Sequence, residues 1–260
     1  MLLGKIKKKL SEKKRYSILF CLKFYLLLTK KILKVRWKIY DLAEKYISDK
    51  LQNYTSYIYT GKSKIYNNLG ETEQALYYAN LSYKYAKAFG DSIGSARALQ
   101  QTGVIYGMRN DLKKSEQFIK KSTAIVENNI YNPKIDSTKN KNLLLQLKSN
   151  LSLNYLLQKR HKESTQAAFQ TLNLAKKLNN KKVVILQYGY IAGNYRALEE
   201  NKKALEYYLL ENQLAIETGE KSKEAYSYIH IAQTLRDLKQ YKYVENYIQK
   251  AENIFNELKL

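Results

Sequence analysis

With 260 residues, 45% of them hydrophobic, the chain can bury a substantial core, either as one elongated solenoid or as one to two globular domains. A single proline, Pro133, and only ten glycines leave long helices few interruptions, and the lone cysteine, Cys21, excludes an intrachain disulfide and a CxxC metal knuckle. The net charge of +23 is uneven: 13 Lys and Arg stand against Glu12 alone up to Tyr40, leaving +11 for the other 220 residues.

Residues 1–15 carry seven basic residues, and Tyr16 to Thr29 form an apolar run interrupted by Lys23. A leader peptide would have this order, but Thr29 is followed by Lys30 and Lys31 instead of a small-residue cleavage site. The run is also shorter than the roughly 20 apolar residues of a spanning helix. Cys21 sits within it and reads as a buried packing residue, which suits a reducing cytoplasm. Residues 1–51 are therefore expected to be basic N-terminal helices forming a degenerate capping pair, with Val35, Ile39 and Leu42 at helical spacing. Direct contact of these helices with anionic lipid is the alternative.

From residue 52 onward a beat appears. Tyr66 and Tyr106 are 40 apart, Tyr155 and Tyr195 are 40 apart, and Leu235 follows after another 40; only the interval from Tyr106 to Tyr155 is 49. A small residue precedes each beat by three (Ser63, Gly103, Ser152, Ala192, Ala232), and another small or β-branched residue follows by nine (Ala75, Ser115, Ser164, Ala204, Val244). Apolar residues recur at three- and four-residue spacing and period-2 alternation is scarce, so the units are helix pairs and the chain is all-α. In the first unit, Asn53 to Asn68 makes one helix, Leu69-Gly70 the turn, and the stretch through Ala75, Ala79, Ser82 and Ala86 the second helix. Gly90, Asn179 and Gly219 share one phase and suit the left-handed backbone after a helix. The long interval holds the polar stretch around Pro133, predicting a longer surface loop at 130–141.

These positions resemble the tetratricopeptide repeat (TPR). The match reads Ser63…Tyr66…Leu69-Gly70…Ala75, Gly103…Tyr106 with Ser115…Ile119, and Ala192…Tyr195 with Ala204…Tyr208. The resemblance covers five pairs within 52–260, and the phrase from Tyr66 to Tyr78 is closest to long-unit TPR regions of bacterial sensory and regulatory proteins. Two departures stand out: the period of 40 exceeds the usual figure of about 34, and no proline ends the units. The resemblance implies a right-handed superhelical stack of antiparallel helix pairs whose first helices line a concave face. By that reading Lys64, Asn67, Arg97, Gln100, Gln146, Asn194, Arg196, Tyr226, Gln233 and Arg236 point into the groove. Amides there can pair with an extended backbone and arginines with carboxylates.

The expected function is that of a non-enzymatic scaffold, the sensor or adaptor part of a bacterial regulatory system, holding a peptide or protein segment of some acidic character. The alternative is a basic scaffold that binds nucleic acid or an anionic membrane surface through the N-terminal segment. The 25 tyrosines offer stacking platforms for single strands, but at helical spacing in a repeat they read as packing residues. No cofactor or metal is expected: His161 and His230 stand at unrelated phases, and neither a Gly-rich phosphate loop nor a nucleophile motif occurs.

Overall fold

The computed structural model describes residues 33–42, 44, 54–129 and 137–258. From Thr55 onward they form ten α-helices: α1 (Thr55–Asn68), α2 (Thr72–Ala88), α3 (Ser92–Met108), α4 (Leu112–Asn129), α5 (Ser137–Leu157), α6 (His161–Lys177), α7 (Lys181–Ala197), α8 (Asn201–Glu217), α9 (Lys221–Asp237) and α10 (Tyr241–Leu258). Among the described residues there are no strands. Successive helices pack on one another as five stacked pairs. In addition α1 touches α3, α3 touches α5, α5 touches α7 and α7 touches α9, whereas the second helices show no such row of mutual contacts. The stack is therefore tighter along its first helices, which form the inner wall of the solenoid.

Small residues let the helices of a pair approach closely, and hydroxyls bond across the gap. Ser63 Oγ donates to the Ala75 carbonyl at 2.7 Å, Ser82 Oγ to that of Ser56 at 2.7 Å, Ser122 Oγ to that of Ala96 at 2.6 Å and Ser164 Oγ to that of Ser152 at 2.9 Å. The aromatic beat packs beside these seams. Tyr66 stacks on Tyr78, Tyr106 on Phe118 and Tyr195 on Tyr207, with centroids 5.3, 5.5 and 5.8 Å apart. Lysine or arginine covers the outer faces of Tyr106, Tyr155 and Tyr195.

Beat residues also close the turns. The carbonyls of Tyr66, Tyr106, Tyr155, Tyr195 and Leu235 each accept the amide N–H five residues on, and the intervening Gly70, Asn110, Lys159, Glu199 and Lys239 take positive φ. This is the Schellman closure. Gly70 was foreseen; the Lys and Glu positions were not, because they adopt φ of 59–61° against their own preference. Gly90, Asn179 and Gly219 take φ of 65, 50 and 68°, as their shared phase implied.

Two expectations shift. Helix α5 is 21 residues long and starts at Ser137, so part of the loop expected at 130–141 is its first turn; residues 130–136 lie outside the described set. At the N-terminus, residues 33–42 are helical and lie against α1, but not through the residues noted at helical spacing. Val35, Ile39 and Leu42 are 54, 58 and 55% exposed. Trp37 and Tyr40 face α1 instead: Lys62 Nζ stands 5.3 Å from the Trp37 ring, and a Cβ at Gly61 would clash with the Tyr40 ring, 2.3 Å from its Cζ. The buried Lys62 pairs with Glu44 and lies 3.7 Å from Asp41, while Tyr59 donates to Glu44 at 2.7 Å. Burial pushes the Glu44 carboxyl up, but the bonds from Lys62 and Tyr59 prevail and hold it below its usual range. Cys21, Lys23 and the rest of residues 1–32 lie outside the described residues.

Candidate functional site

Of the residues expected to line the groove, eight fall into two groups, and Asn67 and Asn194 stand apart from both. Near the N-terminal end, Lys64 of α1 and Arg97 of α3 come together. Lys64 keeps contact with solvent, yet the surrounding walls strip part of its hydration; that desolvation, with the positive charge of Arg97, lowers its pKa. Arg97 lies over the Tyr57 ring at 5.7 Å, and its Nε is buried without a partner. Among the described residues no acid pairs with either cation. Gln100 sits one turn from Arg97 and is half-buried, and Gln146 of α5 is exposed.

Toward the C-terminal end, Arg196 of α7 donates through Nε to Asp237 at 2.7 Å and through Nη1 to Gln233 of α9 at 2.9 Å. Arg236 Nη2 reaches the same Asp237 at 3.7 Å. Asp237, absent from the expected set, thus ties Arg196 and Arg236 together, and Gln233 joins them through Arg196. Tyr226 is exposed and meets Phe255 edge-on at 5.5 Å.

Two expected groove residues belong to the interior. Asn194 is wholly buried, its Nδ2 donating to Ser164 Oγ at 2.8 Å and its Oδ1 lying 3.0 Å from His161 Nδ1, so it braces α7 against α6. Asn67 is buried as well and donates to the Met108 sulfur at 3.0 Å. Asn194 stands two residues before Arg196, about 200° around α7 from it, and so points into the seam.

A second feature was missed. Gly189 and Gly193 lie one turn apart on α7, and two side chains of α8 reach toward the space they leave. Glu211 Oε1 lies 2.8 Å from where a Cβ on Gly189 would stand, and Tyr208 Oη 3.6 Å from one on Gly193. Glu211 is 4% exposed, and its Oε2 is buried without a hydrogen-bond partner. Burial, against weak relief from Lys223, pushes its pKa up to about 7. His230 of α9 lies on the Tyr208 ring at 5.0 Å with Nδ1 unpartnered; burial, then Arg196 and Lys223, lower its pKa. The repeat did hold a sign of this. Seven residues after the small residue of each second helix come Ser82, Ser122, Thr171, Glu211 and Ala251, and only Glu211 breaks the run of small residues.

Between α3 and α5, over the start of α4, lies a cavity of about 230 Å³ lined by Val104, Met108, Leu112, Leu153 and Leu157, with Gly107 at its edge. It opens where the repeat interval is 49 residues. Among the described residues, no group of three or more His, Cys, Asp or Glu side chains is placed to hold a metal ion, and no helix is long and apolar enough to cross a membrane.

No protein-family model matches the sequence, and neither does any curated protein. Solved structures do match in shape. BtubC from P. vanneervenii superposes with a TM-score of 0.72 at 10% identity, over 88% of this chain and 90% of that one. A STAND protein with a tetratricopeptide repeat sensor, from Pyrococcus horikoshii, gives a TM-score of 0.65 at 19% identity over 88% of this chain. The fold is that of a TPR-type solenoid. A Rap protein complexed with competence and sporulation factor gives 0.66 at 12% identity over 85% of this chain. The TPR-type chain described here spans 58% of the Rap protein's length and 34% of the STAND protein's.

Proposed function

We propose that the inner wall binds a peptide or protein segment carrying an acidic group, and that the chain serves as the sensor or adaptor part of a bacterial regulatory system without catalysing a reaction. The observation that carries this reading is the pairing of Lys64 with Arg97. Two cations near enough for Arg97 to depress the pKa of Lys64, with no acid paired to either among the described residues, repel one another until an anion arrives. Arg97 is already fixed over Tyr57, which lowers the entropy lost when a carboxylate binds in a bidentate pair. The apolar cavity between α3 and α5 offers a place for a side chain of the same ligand. Support for a peptide comes also from the Rap structure of the same fold, which was solved with competence and sporulation factor bound.

The test is capture of peptides from host extract on immobilised protein, with the bound species sequenced. The wild type should retain segments containing Asp, Glu or a free C-terminus, and the double variant Lys64→Glu/Arg97→Glu should lose them by about tenfold or more, as expected for charge-assisted bonds. The same peptides retained by both proteins would rule the reading out.

A further inference from the structure

The groove has a place of opposite character to the Lys64–Arg97 end. In the fourth pair alone, the inner helix has glycine both six and two residues before the beat (Gly189 and Gly193 before Tyr195), and the helix behind it has a carboxylate where the other pairs have Ser82, Ser122, Thr171 and Ala251. The two departures fit one another. Where Thr60 meets Ser82 across the first pair at 2.7 Å, the fourth pair has Glu211 reaching to Gly189, and one oxygen stands within 2.8 Å of the missing Cβ. The bare backbone of α7 here leaves room that the Glu211 carboxyl fills, so the acid lies directly behind it.

We propose that Glu211 is the floor of a cation-binding subsite on the inner wall, entered past Gly189 and Gly193, which takes the ammonium or guanidinium of a lysine or arginine in the bound segment. The subsite rests on the reading of the groove as a peptide site. Its surroundings suit a cation that arrives from outside. Oε2 is shut away without a donor, so an ionised Glu211 has an unmet need for positive charge. The nearby protein cations do not meet it: Arg196 is committed to Asp237 and Gln233, and Lys223 forms no ion pair with Glu211, acting only through its more distant charge. The neutral neighbours complete the niche. Tyr190 on α7 and Tyr208 on α8 are held protonated by burial, their pKa values pushed to about 12, and His230 on α9 is kept neutral by burial and by Arg196 and Lys223. These rings supply aromatic faces and acceptor atoms around a cation. Because Glu211 alone holds its proton up to about pH 7, entry of a cation expels that proton, and binding strengthens as pH rises through this value.

Two measurements test this. The side-chain carboxyl of Glu211 is followed by carbon NMR, assigned by its disappearance in Glu211→Gln, and titrated with and without saturating methylguanidinium or methylammonium. In parallel, wild type and Glu211→Gln are offered a randomised heptapeptide library with blocked ends, and the retained peptides are sequenced. The probe cations should lower the Glu211 midpoint by about one pH unit or more, and Gly189→Ala should abolish that response by filling the opening. Lys or Arg should be enriched about tenfold at one position for the wild type, and not for Glu211→Gln. A midpoint that ignores both probes, or the same Lys/Arg content for both proteins, overturns the subsite even if peptides bind. A midpoint that responds while no peptide is retained leaves the subsite standing and removes the peptide reading.

Discussion

Replacing Glu211 with glutamine should stabilise the protein in a pH-dependent way. The carboxyl, ordinarily at 4.5, is pushed to about 7 by burial between α7, α8 and α9. The folded state therefore favours the protonated acid, while the unfolded chain ionises it from about pH 4.5 upward. Between these values the unfolded state binds fewer protons, so stability falls as pH rises through the window and is level above it. A difference of this size corresponds to about 3 kcal/mol at pH 8 but less than about 1 kcal/mol at pH 5. Glutamine has the same shape and does not titrate, so any fixed cost of burying its amide cancels when the two pH values are compared. Thermal unfolding of wild type and Glu211→Gln, followed by circular dichroism, should show the gap widening in favour of the variant by about 2–3 kcal/mol from pH 5 to pH 8. For a chain of this length that is on the order of 5–10 °C in Tm. A gap that stays constant, or that moves toward the wild type at pH 8, would refute the assignment of a buried, unpaired carboxylate.

Other consequences are local. Lys159→Gly, Glu199→Gly and Lys239→Gly should each raise stability by up to about 1 kcal/mol in denaturant titrations, because each residue now holds a left-handed backbone that glycine adopts freely. Gly61→Ala should push Tyr40 off α1 and expose Trp37, the only tryptophan, giving a red-shifted fluorescence spectrum while the helical signal of the solenoid persists. Asn194→Ala should cost about 1–3 kcal/mol by removing the partner of His161 Nδ1 and one of the two bonds of Ser164 Oγ, yet leave the peptides captured by the groove unchanged.

The solenoid was readable because one beat does two jobs. Tyr66, Tyr106, Tyr155, Tyr195 and Leu235 pack within the pairs and also accept the bond that closes each turn, so their 40-residue interval records the geometry of the whole unit. The exits at Gly90, Asn179 and Gly219 were readable for the same reason. Lys159, Glu199 and Lys239 were not, since the closure imposed by the helix pair overrides residue preference there. Helical spacing pointed to Val35, Ile39 and Leu42, all exposed; residues 33–42 and 44 meet α1 through Trp37, Tyr40 and the polar contact of Glu44 with Lys62, which no apolar periodicity records. Within the groove, periodicity placed Lys64, Arg97, Arg196 and Arg236 on exposed or half-buried positions but could not separate wall from seam, and so misplaced Asn67 and Asn194. Glu211 was visible as a misfit in the repeat, but its meaning depended on Gly189 facing it from the other helix.

The central claim, that the first helices form a peptide-binding wall, is tested most directly by amide hydrogen exchange with and without the most abundant captured peptide. Exchange should slow in α1, α3, α5, α7 and α9, most around Lys64, Arg97 and Gly189, with α2, α4, α6, α8 and α10 little changed. Protection confined to the second helices would contradict it.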